Sequence, residues 1–151
     1  DRQTNLFGGK NMKLRNFSVG LSAFAVSLVA QSGAALAITY ECAMTAHTQY
    51  GWVPPQMIVL VGEDEQQALV YDGLIAEIVG EPIPAGLKRR NASSFTITWR
   101  VNDIPITNGT NKTDAEYVMT LFTNRLRANV RVYPIGSDVS HHGSGKCEIS
   151  K

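Results

Sequence analysis

The chain has 151 residues and a formal net charge of +1, and 44% of its residues are hydrophobic. Part of the positive charge lies in the first 37 residues, where four basic residues and one acidic residue occur. The remaining segment has 10 basic and 12 acidic residues. A nearly neutral segment of this size is typical of one small domain and gives no reason to expect nucleic acid or an anionic membrane as a partner.

The segment 12–37, MKLRNFSVGLSAFAVSLVAQSGAALA, has the three parts of a secretory signal peptide. Lys13 and Arg15 form the positive start, a mostly apolar run follows, and Ala35-Leu36-Ala37 supplies the small residues that a signal peptidase recognises. The apolar run is shorter than the roughly 20 residues that a membrane-spanning helix needs. We therefore expect cleavage after Ala37, a periplasmic or secreted protein, and no stable membrane anchor after cleavage.

Residues 1–11 lack an initiator methionine and precede the positive start of the signal peptide. They are interpreted as a non-native upstream extension. The expected working protein is residues 38–151, a single β domain.

Cys42 and Cys147 are the two cysteines of the chain. In an exported protein an even pair predicts a disulfide bond, here one that joins the two ends of the domain. Metal ligation and a reactive thiol are the alternatives, but no His or Cys lies at a suitable spacing to support either.

Alternation of apolar and polar residues runs through most of residues 38–151. In SFTITWRV, for example, Phe95, Ile97, Trp99 and Val101 alternate with polar residues, which predicts a half-buried antiparallel strand. The run MIVLV at 57–61 predicts a strand at a sheet centre or covered on both faces. EYVMTLFTN and RANVRVY predict a further antiparallel pair.

In ALVYDGLIAEIV the pair Asp72-Gly73 predicts a tight hairpin between two strands. No convincing helix is predicted, and the glycine-rich tail that contains His141 and His142 is interpreted as a solvated loop. Seven or eight short strands with linked chain ends predict an all-β fold, a small closed antiparallel barrel, with a β-sandwich as the alternative.

The order of Tyr40-x-Cys42, the turn at Tyr71-Asp72-Gly73, Trp99 and Cys147 resembles that of the small periplasmic C-type lysozyme inhibitors. The resemblance implies an eight-stranded barrel whose last cysteine is bridged to the first strand. The inhibitory Ser-Gly-x-x-Tyr loop of that family is not recognisable, since residues 82–90 occupy its approximate place without the serine. No inhibitory residue is therefore carried over.

Two candidate binding regions emerge from the sequence. Tyr50 and Trp52 lie in a loop braced by two prolines, which suits contact with a protein or a carbohydrate, although Trp52 as a lid over one barrel end is the alternative. The basic residues Lys88, Arg89 and Arg90 are expected to form a corner in a loop between strands, either merely solvated or bound to an anionic partner.

Catalytic motifs are missing from the sequence, with no Gly-x-Ser-x-Gly elbow and no His-Glu-x-x-His pair. The favoured function is a non-enzymatic binding module that contacts an envelope or extracellular protein or a small ligand, without a cofactor. A barrel that carries a small apolar ligand is one alternative. A metal-dependent enzyme that uses His47, Asp138, His141 and His142 is the other.

Overall fold

The computed structural model describes residues 37–49, 51–106 and 110–150. Within these residues the chain forms eight strands and one short helix. In chain order they are β1 Ala37–Ala46, β2 Gln56–Gly62, β3 Ala68–Asp72, α1 Gly73–Ile78, β4 Ile83–Asn91, β5 Ser94–Ile106, β6 Asn111–Phe122, β7 Arg127–Pro134 and β8 His141–Ser150. The predictions for residues 1–11 and for most of the signal peptide fall outside the described residues.

The eight strands form one closed antiparallel barrel, in which each strand pairs with its neighbours in the sequence and β8 pairs with β1. The predicted closed barrel is confirmed, and the sandwich alternative is not observed. The upper end is defined here by the connections after β1, β3, β5 and β7. The lower end carries the connections after β2, β4 and β6 together with the outer ends of β1 and β8.

Because side chains alternate between the two faces of a strand, every second side chain points into the barrel and helps to fill it. In β7 the inward residues Ala128, Val130 and Val132 are buried, while the residues between them are exposed. The interior is completed by large side chains from the other strands, among them Met57, Ile97, Trp99, Tyr117, Met119 and Leu121. Burial of this apolar surface is the main stabilising contribution to the barrel.

The seam between β1 and β8 is closed by the predicted disulfide bond. Cys42 and Cys147 occupy opposite positions of the two strands and are bonded, with a sequence separation of 105 residues. Both side chains are buried inside the barrel. The covalent link therefore fastens the first strand to the last one.

The predicted hairpin at Asp72-Gly73 is wrong, because Asp72 begins a helix there. Its carboxylate accepts a hydrogen bond from the backbone N–H of Ile75 at 2.8 Å, which is an N-cap contact. Helix α1 places Ile75 in the core and packs Leu74 and Ile78 against it. The helix ends at Ile78 with Val79 as its C-cap, and Gly80 then adopts a positive φ of 87° and donates to the carbonyl of Ile75.

Two further predictions are corrected by the strand boundaries. Lys88, Arg89 and Arg90 lie within β4 rather than in a loop. The glycine-rich tail forms β8, and its inward positions include Gly143 and Gly145. A Cβ atom on Gly145 would lie 2.1 Å from the carbonyl oxygen of Ala43, so β1 leaves no room for a side chain there.

The run at 57–61 forms a strand, as predicted, but only one face of this strand is buried. Met57, Val59 and Val61 are buried, whereas Ile58 and Leu60 are partly exposed on the outside. Among the described residues no helix has the length and apolar character needed to cross a membrane.

Candidate functional site

The loop between β1 and β2 covers the upper end of the barrel. Tyr50 lies outside the described residues. Trp52 is half-buried, its ring is stacked on that of His141 at a centroid distance of 5.8 Å, and its carbonyl accepts a hydrogen bond from the hydroxyl of Tyr117 at 3.2 Å. Val53 is buried beside it. These contacts fit the alternative in which Trp52 acts as a lid.

Polar groups lie in the core near this lid. The rings of Trp99 and Tyr117 stack at 5.1 Å, and the indole N–H of Trp99 has no hydrogen-bond partner among the described residues. Burial, with a smaller contribution from the Asp72 carboxylate, raises the pKa of the Tyr117 hydroxyl well above its ordinary value. Tyr117 therefore acts as a neutral hydrogen-bond donor that holds the loop in place.

Arg89 lies at the lower end of the barrel, where its exposed side chain contacts other residues of the protein. Its guanidinium lies 4.5 Å from the centre of the Phe95 ring and forms a two-point ion pair with Glu65 in the β2–β3 turn. It also donates to the carbonyl oxygens of Asn91 and Ala92, both at 3.0 Å. Most of its donors are thus used within the protein.

Lys88 and Arg90 flank Arg89 in β4 but point to the outside of the barrel. Lys88 is opposite Thr96 on β5, and Arg90 makes a long contact of 3.4 Å with the hydroxyl of Thr120 on β6. Both side chains are exposed and neither forms an ion pair with a described residue.

The candidate residues from the sequence therefore do not form one site. Trp52 belongs to the upper end, Arg89 belongs to the lower end, and Lys88 and Arg90 belong to the outer surface of the barrel wall. The three groups are therefore separate regions of the surface.

Four more cations share the outer surface with Lys88 and Arg90. Arg127 and Arg131 are outward residues of β7, Lys146 is opposite Arg127 on β8, and Arg125 lies in the turn before β7. We call this surface the basic face, defined by Lys88, Arg90, Arg125, Arg127, Arg131 and Lys146. All six side chains are exposed, and no ion pair among the described residues involves any of them.

The basic face is not apparent from the sequence alone, because its residues are scattered from position 88 to position 146. A local signal did exist in RANVRVY, where the polar positions of a period-two strand are Arg127, Asn129 and Arg131. The strand pairing that brings β4, β7 and β8 onto one wall was not available from that pattern.

The ion-paired cations lie elsewhere. Arg100 contacts Asp114 at 2.7 Å, and Lys112 lies 3.9 Å from Asp103. These residues belong to the part of the β5–β6 hairpin near the upper end. The hydrogen bond from Arg100 holds the pKa of the Asp114 carboxyl below its ordinary value.

The three histidines do not converge on one point. His141 is buried and its Nδ1 lies 3.2 Å from the hydroxyl of Thr48, whereas His142 points outward. On the outer surface His47 lies 5.6 Å from His142, ring centre to ring centre, and its Nε2 lies 3.0 Å from the hydroxyl of Ser144. Among the described residues no group of three His, Cys, Asp or Glu residues could hold a metal ion.

A depression near these residues lies on the outside of the barrel. It has a volume of about 500 Å³ and is bordered by His47, His142, Asn129, Arg131 and Ser144. The inward positions of the barrel are occupied by the buried side chains already described. Binding surface is thus available on the wall, and this depression adjoins the basic face.

Comparison with known proteins adds no functional information. No protein-family model, no curated protein and no solved structure matches the chain.

Proposed function

We propose that this protein is an exported, non-enzymatic binding module that recognises its partner with the outside of the barrel wall. The single observation that carries the proposal is the basic face, on which six exposed cations lie without an ion pair among the described residues. A cation cluster of this kind attracts an oppositely charged partner and orients it. The disulfide between Cys42 and Cys147 is compatible with an oxidising compartment and supports export.

The segregation of charge supports a role of the face in recognition. The described residues contain nine cations and 12 acids, so the basic face stands out against a negative domain. The acidic residues concentrate in the β2–β3 turn, around α1 and in the β5–β6 hairpin, and Glu41 and Glu148 lie opposite each other beyond Lys146. An acidic partner is therefore favoured by the outer surface that carries the six cations and repelled by the acidic segments.

The packed interior favours an outer surface over a lumen site. Buried side chains fill the upper and middle parts of the barrel, and an eight-stranded barrel is just wide enough for such filling. They are Ile97, Trp99, Tyr117 and Met119. A carrier of an apolar ligand would need these side chains to move. The upper loop, with Trp52 half-buried, is the second contact that we propose for the same partner.

The proposal is tested with full-length chain produced with its leader in an exporting bacterial host and recovered from the exported fraction. Wild type is immobilised beside the double variants Lys88→Gln/Arg90→Gln and Arg100→Gln/Lys112→Gln, which lose the same charge at different places. Envelope extract is passed over each at low salt. We expect to capture material on wild type and on Arg100→Gln/Lys112→Gln, and less of it on Lys88→Gln/Arg90→Gln. Salt is expected to release the captured material. Equal capture by all three proteins would refute a role for this face.

A further inference from the structure

Resting on the proposed function, we propose that the basic face binds an acidic polysaccharide, a glycan chain that carries carboxylate, sulfate or phosphate groups. The cations supply the charge complementarity. Hydroxyl and amide side chains between them supply the hydrogen bonds that a sugar chain needs. Both sets of groups come from six consecutive strands of the barrel, β4 to β8 and β1.

The hydrogen-bonding groups form a row across the barrel. In register, the row contains Lys88 of β4, Thr96 of β5, Thr120 of β6, Asn129 of β7, Ser144 of β8 and Thr45 of β1. Apart from Lys88 these side chains are short, and all of them are outward and at least partly exposed. Such groups donate and accept hydrogen bonds with sugar hydroxyls at a small cost in side-chain entropy.

The cations flank this row on both sides along the strands. Arg131 is in register with His142 in the next row toward the upper end, and Arg127 is in register with Lys146 in the next row toward the lower end. Arg127 and Arg131 are four residues apart in one strand, which corresponds to about 13 Å. At β7 a chain that follows the row thus passes between a positive charge on its upper side and one on its lower side.

The curvature of the wall favours a flexible chain over a lipid bilayer. From β4 to β8 the face crosses four strand spacings, which is about 19 Å of wall and half of the eight-stranded circumference. A flat membrane surface cannot contact both edges of such a wall at the same time. A polymer can follow it.

Among the described residues that face outward on β6, β7 and β8, the aromatic rings are those of Phe122, Tyr133 and His142, and Tyr133, which is 39% exposed, lies beyond Arg131 toward the upper end. The outward ring of Phe122 is covered by the guanidinium of Arg125, which lies 4.6 Å from its centre. Single-stranded nucleic acid usually binds through exposed aromatic side chains in addition to cations. The face offers cations and hydroxyls, which fits an acidic glycan better.

The test measures binding of full-length exported protein to four probes at 50 mM salt. They are polygalacturonate, neutral dextran, single-stranded DNA of one repeated base, and vesicles that contain an anionic lipid. We expect binding to polygalacturonate that is strongly reduced at 500 mM salt, because counterions screen exposed charges over a few ångströms at high ionic strength. Dextran is expected not to bind.

The variant Arg127→Gln/Arg131→Gln is compared with Arg100→Gln/Lys112→Gln, which has the same net charge. The first is expected to weaken polygalacturonate binding by about tenfold, since each cation near an anionic surface contributes a few-fold, and the second to leave it within twofold. A thermal melt checks that both variants are folded. If either is not, the single variants Lys146→Gln and Lys112→Gln replace the pair, because they also have the same net charge.

Tighter binding to DNA or to vesicles than to polygalacturonate would overturn the proposal, as would equal effects of the two matched variants. The experiments also distinguish a wrong choice of glycan from a wrong proposed function. If no acidic glycan binds but envelope material is still captured through Lys88 and Arg90, only the glycan is wrong. If neither happens, both proposals are wrong.

Discussion

Cys42 and Cys147 lie directly opposite each other across the seam where β8 meets β1. The bond encloses nearly the whole described domain. In the chain-entropy view, a cross-link that closes a loop of about 100 residues stabilises a protein by about 4–5 kcal/mol, because it restricts the unfolded chain. This is a large part of the stability of an ordinary small domain.

We therefore expect Cys42→Ala/Cys147→Ala to lower the free energy of unfolding by about 4–5 kcal/mol. Urea denaturation followed by tryptophan fluorescence measures the change. Wild type in a reducing agent serves as the control and should unfold at a similar urea concentration. A double variant as stable as the oxidised protein would show that the seam is held by its strand pairing alone.

Gly145 offers a second test of the seam. A Cβ there would meet the carbonyl of Ala43 at 2.1 Å and the sulfur of Met44 at 2.7 Å, so Gly145→Ala has to push β8 away from β1. We expect a loss of about 1–3 kcal/mol, the usual cost of overpacking. Gly73→Ala is the matched control, since nothing lies within 4 Å of its added Cβ.

For Gly73→Ala we expect a gain of about 0.4–1 kcal/mol, because alanine restricts the unfolded chain and fits the first turn of α1. Both variants are measured by urea denaturation. Equal effects of the two substitutions would contradict the close contact between β8 and β1.

The sequence alone was sufficient for the main features of the barrel. Alternation in residues such as Phe95, Ile97 and Trp99 predicted half-buried strands, and the two cysteines predicted the link between the chain ends. These features depend on local periodicity and on the chemistry of single residue types, both of which can be read without knowing the neighbours in space.

The helix at Gly73 could not be distinguished from a hairpin by its first two residues. Asp-Gly suits a tight turn, but Asp is also a favoured N-cap residue. What decides between them is burial of Ile75 in the core, with Leu74 and Ile78 packed against it, which is a tertiary effect.

The candidate site shows the same limit. Lys88, Arg89 and Arg90 are adjacent in sequence, yet Arg89 points toward Phe95 and Glu65 while its neighbours point outward. Arg127 and Lys146 are distant in sequence and lie opposite each other in the sheet. Which of these charges are neighbours in space is decided by the register of the strands.

Asp72 predicts a pH dependence of stability. Its carboxyl is buried, and burial raises its pKa, although hydrogen bonds from the backbone N–H groups of Ile75 and Leu74 act in the opposite direction. The folded state therefore holds this proton more tightly than the unfolded state. The stabilising contribution is complete below the unfolded pKa and is lost as the pH rises through the folded pKa.

We expect Asp72→Asn to remove this dependence and to keep the N-cap, since asparagine caps as well as aspartate. Relative to wild type, the variant should gain stability as the pH rises from about 4 toward 7, starting near the unfolded Asp pKa of about 3.9. Asp72→Ala is the control for the cap and should cost about 1 kcal/mol at low pH. Urea denaturation at several pH values measures both. If Asp72→Asn lost stability relative to wild type as the pH rises, the sign of this prediction would be wrong.

Arg89 and Lys88 are adjacent in sequence, but only Arg89 makes an ion pair among the described residues. Single substitutions of the two residues should therefore have different effects on stability. Arg89→Gln removes the ion pair with Glu65 and the contact with Phe95, so we expect a lower thermal midpoint. Lys88→Gln removes an exposed charge without an ion pair among the described residues and should leave the midpoint unchanged.

Glu65→Gln should reproduce part of the loss, and adding Arg89→Gln to it should cost less than Arg89→Gln costs in wild type, because the two residues interact directly. In 1 M salt the effect of Glu65→Gln should become smaller, since salt screens an exposed ion pair. The contact between Arg89 and Phe95 is less sensitive to salt, so part of the effect of Arg89→Gln should persist. Additive effects of Glu65→Gln and Arg89→Gln would show that the ion pair does not stabilise the lower end of the barrel.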